Sequence, residues 1–93
     1  MIRSFKDKST AALFAGLAPK RLPAELRKRA REKLDALNYA VSIDDLRVPP
    51  ANRLEKLAGD RAEQWSVRIN GQWRLCFIWR DGDAWDVEIA DYH

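Results

Sequence analysis

Ninety-three residues, 46% hydrophobic and 33% charged, suit one soluble domain over 1–93, too small for a deep pocket and better matched to a surface site. No apolar run can span a bilayer, the start Met1-Ile2-Arg3-Ser4-Phe5-Lys6 has no secretory core, and a lone cysteine (Cys76) with a lone histidine excludes a disulfide and disfavours structural zinc, so a cytoplasmic protein without membrane or metal is expected. The net charge of +3 is uneven: residues 1–40 carry ten Lys or Arg against four Asp or Glu, residues 41–93 seven against ten, which suits a polyanion such as RNA, an acidic partner, or simply a solvated helix surface.

In chain order, Ile2 to Phe5 reads as a short first strand. Ser9 is a candidate helix cap, followed by a short helix from Ala11 to Leu17. Pro23 in a first turn, with Glu25 close behind, opens a second helix. Leu26, Ala30, Leu34, Leu37 and Val41 then recur at helical spacing and predict its core stripe. Arg27, Lys28, Arg31 and Lys33 flank the stripe as solvated surface or as a landing site for RNA phosphates. Ser42 to Leu46 reads as a cap and one helical turn, and Pro49-Pro50 forbids regular structure.

Beyond a short strand around Arg53 to Leu57, with Arg53 and Glu55 outward and Leu54 inward, the period changes to two. Trp65, Val67 and Ile69, then Trp73, Leu75, Phe77 and Trp79, then Trp85, Val87 and Ile89 are apolar on odd numbers. Turn signals at Asn70-Gly71 and Asp81-Gly82-Asp83 separate them. Odd residues of the first two strands share one core only if their loop has an odd length, which predicts a loop of three residues with Gly71 left-handed. Helices first and antiparallel strands after imply an α+β domain, with N-terminal helices on one face of a small twisted sheet. Arg68 and Arg74 then share the other face, where their repulsion calls for a carboxylate such as Glu55 or for a bound anion.

Three stretches carry a resemblance. Asn52 to Arg61 resembles the segment that leads into the central strand of HigB toxins, and Gln64 to Phe77 resembles their central hairpin. The end, Val87-Glu88-Ile89-Ala90-Asp91-Tyr92-His93, resembles the family's Asp-Tyr-His terminus, and Met1 to Phe5 also fits. The resemblance implies a RelE-like fold and a toxin of a type II toxin–antitoxin system, an endoribonuclease that cuts messenger RNA on the ribosome. It implies as partners a HigA-type antitoxin with a helix-turn-helix domain, the ribosome and mRNA, and operator DNA only through the antitoxin complex.

By the same resemblance Arg74 matches the active-site arginine, and Asp91, Tyr92 and His93 match the catalytic terminus. Some relatives carry His-Pro where this chain has Glu55-Lys56, and a lysine where Ala58 stands, which leaves the general base open. RNA cleavage without a metal or other cofactor needs a base for the ribose 2′-OH, cations for the phosphate and an acid for the leaving 5′-oxygen. Arg74 would grip the phosphate with help from Arg53, Lys56, Arg61 or Arg68 as RNA-binding residues. His93 would move protons, Asp91 would orient it or act as base, Tyr92 would stack or donate, and Glu55 is the other candidate base or a plain salt-bridge partner. Arg74 paired with Glu88 is the structural alternative. Two other functions fit the same fold: a ParE-like inhibitor of DNA gyrase that cuts nothing, and an antitoxin ligand and corepressor with little activity.

Overall fold

The computed structural model describes residues 1–91; Tyr92 and His93 lie outside the described residues. Two helices, α1 (Lys8–Phe14) and α2 (Ala24–Tyr39), precede four strands, β1 (Glu55–Lys56), β2 (Gln64–Arg68), β3 (Trp73–Arg80) and β4 (Asp83–Asp91). The strands pair antiparallel in chain order, as the α+β reading requires. Ile2 and Phe5 bridge in parallel to Ala84 and Val87, so the N-terminal segment covers the free edge of β4.

Asp7 rather than Ser9 caps α1: its carboxylate accepts from the Thr10 amide and from the Thr10 hydroxyl. The helix therefore starts and ends about one turn before the sequence reading. In α2 the stripe Leu26, Ala30, Leu34 and Leu37 is buried as expected, but Val41 falls beyond the helix and is 81% exposed. Arg27 donates to the carbonyls of Leu22 and Pro19, and Arg31 to those of Leu13 and Leu17. Part of the basic flank thus serves the fold, by satisfying carbonyls at the end of α1 and in the connection to α2.

Ser42 and Asp45 form a reciprocal capping box on the 3-10 turn Ile43–Arg47. A second 3-10 turn, Pro50–Asn52, follows the proline pair. Buried Asn52 pins the two turns together by donating to the carbonyls of Leu46 and Val48, while its own oxygen accepts from Lys33.

The first hairpin pairs Val67 with Leu75 and Arg68 with Arg74, so odd faces odd and the loop is 70–72. Gly71, however, does not have positive φ. The Asn70 side chain closes the loop instead, accepting from the amides of Gln72 (2.9 Å) and Trp73 (2.8 Å). In the second hairpin Arg80 pairs with Asp83, and Asp81 and Gly82 both have positive φ, as a type I′ turn requires.

Val67, Ile69, Trp73, Leu75 and Phe77 enter the core beneath the helices, joined by Ala84, Val87 and Ile89. Trp65 and Trp79 pack against it partly buried. Trp85 does not join them. A register shift opposite Phe77 inserts one residue in β4, so Ile78 faces Trp85 and Trp79 faces Ala84. The bulge is held from the N-terminal segment: Asp86, at φ 49°, donates its amide to Ser4 Oγ at 2.8 Å.

Two carboxylates give the fold an acid limb. Amides of Ser42 and Val41 hold Asp45 below its ordinary value of 3.8, and Arg3 with the N-terminal amine does the same for Asp83. A depressed folded pKa contributes stability above the unfolded value and loses it as pH falls through the folded one. The urea midpoint is therefore expected to be level from about pH 7 to 5 and to fall below about pH 4. Asp45→Asn with Asp83→Asn should lower the neutral midpoint and flatten that fall; a double variant with an unchanged acid limb contradicts the assignment.

Candidate functional site

The sheet face away from the helices carries the even-numbered residues of β2 and β3. Register aligns Glu55, Ser66, Cys76 and Glu88 in one row across all four strands. Arg68, Arg74 and Ala90 form the row on one side of it, and Gln64, Ile78 and Trp85 the row on the other. Ser66 and Cys76, at the centre, are fully buried.

Arg74 is the most constrained side chain on this face, 13% exposed. Its Nε donates to Ser66 Oγ at 2.9 Å, and its Nη2 donates to the Arg53 carbonyl at 2.9 Å. The same Nη2 lies 3.5 Å from Glu55 Oε1. The Arg53 carbonyl is available because Arg53 ends the 3-10 turn in the left-handed region, at φ 45°. That conformation costs a non-glycine residue roughly 1–3 kcal/mol and persists because Asn52, next to it, is tied down on three sides. The guanidinium plane is thus fixed by two neutral oxygens and one carboxylate, while Nη1 has no partner among the described residues.

Glu88 is not the partner of Arg74. Lys6 Nζ at 3.1 Å and Arg61 Nη2 at 3.6 Å hold it. Glu55 and Glu88 stand at opposite ends of their row, about 14 Å apart across three interstrand gaps. Of these two carboxylates, Glu55 is the one placed to share a ligand with Arg74.

The other expected residues divide. Arg68 is directly opposite Arg74, its Nη2 near the hairpin loop at Gly71, and among the described residues no hydrogen bond or ion pair engages it. Arg53 meets Arg74 through its carbonyl, and its residue is exposed. Arg61 is engaged by Gln64 and Glu88 at the other end of the face. Lys56 alternates to the opposite side of β1, where its ammonium lies 5.7 Å from the Trp65 ring centroid. Asp91 pairs with core-facing Trp73 and so alternates to the face opposite Arg74, where it accepts from Gln72 at 3.2 Å. The expectations for Tyr92 and His93 fall outside the described residues.

Sequence reasoning did not find Ser66 or the Arg53 carbonyl. Ser66 had a signal, its place on the polar parity opposite Glu55. A backbone carbonyl leaves none. The resulting arrangement can bind an oxyanion at Arg74 and Arg68 and can place a carboxylate, Glu55, beside it.

The chain matches the family model described as "RelE-like toxin of type II toxin-antitoxin system HigB" over residues 3–93. It is 34% identical to the "Endoribonuclease HigB" of Proteus vulgaris over 93 residues, all of both chains. It is 39% identical to "Toxin HigB-1" of Vibrio cholerae over 85 residues, 90% of each. In fold it resembles a chain of the "YoeB-YefM complex from Staphylococcus aureus", with a TM-score of 0.62 at 16% identity over 100% of this chain and 98% of that one. The polar sheet face built around Arg74 therefore sits on a RelE-like scaffold, and the chain belongs to the HigB family of type II toxin–antitoxin toxins.

Proposed function

We propose that the chain is an endoribonuclease that cuts messenger RNA on the translating ribosome, in the cytoplasm. The observation that carries this reading is the fixed Arg74 guanidinium with Glu55 beside it and, opposite, an Arg68 that no hydrogen bond or ion pair engages among the described residues. The relative named an endoribonuclease, which matches the whole chain, supports it.

In the proposed reaction the Glu55 carboxylate takes the proton of a ribose 2′-OH. The 2′-oxygen attacks the adjacent phosphorus while the bond to the 5′-oxygen breaks. Arg74 holds the non-bridging oxygens, where negative charge accumulates, with Arg68 as the second cation. His93 gives a proton to the departing 5′-oxygen, and Tyr92 stacks on a neighbouring base or donates to the phosphate. The products are a 2′,3′-cyclic phosphate and a free 5′-hydroxyl, so DNA is spared.

An antitoxin of the HigA type, with a helix-turn-helix domain, would neutralise the toxin, and the pair would occupy operator DNA together. The solved neighbour being part of a complex supports a protein partner. Primer extension on one message, translated or free of ribosomes, tests the proposal. New 5′ ends inside translated codons, appearing within minutes and only with ribosomes, are the expected result. An uncut translated message overturns it.

A further inference from the structure

The bulge in β4 moves an aromatic ring that the alternation of the strand assigns to the core. Because Asp86 is the extra residue, Ala84 packs inward and Trp85 turns to the polar face, 37% exposed. It is the one exposed tryptophan of the four. Its cross-strand neighbour is Ile78, which faces Gln64 in turn. Arg74 and Ile78 lie on the same face of β3, four residues and about 13 Å apart along the strand. A flat apolar surface thus shares a face with the phosphate-gripping arginine at the distance of a short piece of extended chain.

Beside Trp85, Ile78 lines a hollow of about 270 Å³ whose walls come from the segment 59–64. Arg61 in that wall is already held by Gln64 and Glu88, and Asp60 and Glu63 stand at the rim. Those carboxylates repel a phosphate. A neutral planar ring meets no such penalty and can cover the exposed indole, whose contact with water is otherwise unfavourable. Charge and shape therefore sort the parts of a short RNA segment, with the scissile phosphate toward Arg74 and Arg68 and the base of a nearby nucleotide toward Trp85 and Ile78.

We infer that Trp85, with Ile78 and the adjoining hollow, forms a stacking subsite for one nucleobase near the scissile phosphate. The inference rests on the ribonuclease reading and deepens it. Every base has a π-face, so the subsite adds affinity for single-stranded RNA without selecting a codon.

The test is single-turnover cleavage of ribosome-bound message over a range of toxin concentrations. Trp85→Ala is expected to raise the half-saturating concentration about tenfold and to leave the limiting rate within about twofold. Trp85→Phe should restore the affinity, and Trp85→Leu, which keeps bulk without a ring, should not. In messages carrying a single abasic nucleotide near the cut, one position should cost the native toxin about tenfold and cost Trp85→Ala nothing further. Penalties that multiply, or a Leu variant equal to native, overturn the subsite. If Trp85→Ala fails to fold, the Phe and Leu pair decides. The native toxin separates the two levels: no cleavage of ribosome-bound message by the native chain sinks the ribonuclease reading itself, whereas native cleavage with an unchanged Trp85→Ala sinks only the subsite.

Discussion

Replacing Arg74 by alanine is expected to slow cleavage of ribosome-bound message by about 10²–10³-fold, the usual cost of removing one preorganised donor from a developing anion. The fixed guanidinium explains why the loss falls on rate. Ser66, the Arg53 carbonyl and Glu55 orient the group before substrate arrives, so no reorganisation is needed as phosphorus gains charge. Removal also leaves the buried Ser66 hydroxyl without its donor, which should cost about 1–2 kcal/mol of stability. Urea unfolding and antitoxin binding must therefore be measured with the kinetics, to show that the variant is folded. Arg74→Lys keeps the charge but loses the fork. One ammonium cannot hold Ser66, the Arg53 carbonyl and a phosphate in one plane, so it should recover no more than about tenfold. A lysine variant at native rate would mean that charge alone suffices and that the clamp has no catalytic part.

Phe77→Ala is expected to cost about 3–5 kcal/mol. The ring is fully buried, lies opposite the bulge, and meets Trp79 edge-on at 6.4 Å between centroids. A domain of this size holds roughly 5–14 kcal/mol in total, so the variant should be largely unfolded in mild urea and degraded in cells. Val41→Ala is the control. The helical spacing places Val41 in the core stripe, yet its exposure predicts a change within about 0.5 kcal/mol. Urea midpoints of the two variants decide, and a Val41 variant as unstable as the Phe77 one would contradict the placement of α2.

The stripe of α2 and the face assignments of β2 and β3 were legible because periodicity is a local property that packing enforced. The meeting of Glu55 with Arg74 followed from the same parity. What was not legible depends on contacts remote in sequence. Trp85 follows the strand alternation perfectly, and only Ser4, 82 residues from Asp86, reveals the bulge that turns it outward. Gly71 suggested a left-handed turn residue, but the neighbouring Asn70 oxygen closed the loop without one. Arg27 and Arg31 look like free surface charge because the carbonyls they serve carry no mark in the sequence. The sequence points to the Arg53 side chain, whereas its carbonyl is what meets Arg74.

The most direct test of the proposed chemistry is a message with a single 2′-deoxynucleotide on the 5′ side of a mapped cut, presented to the toxin on ribosomes. The Arg74-centred mechanism predicts that this one position is no longer cut, while neighbouring sites are cut as before and leave cyclic phosphates. Cleavage at the deoxy position at the native rate would contradict it.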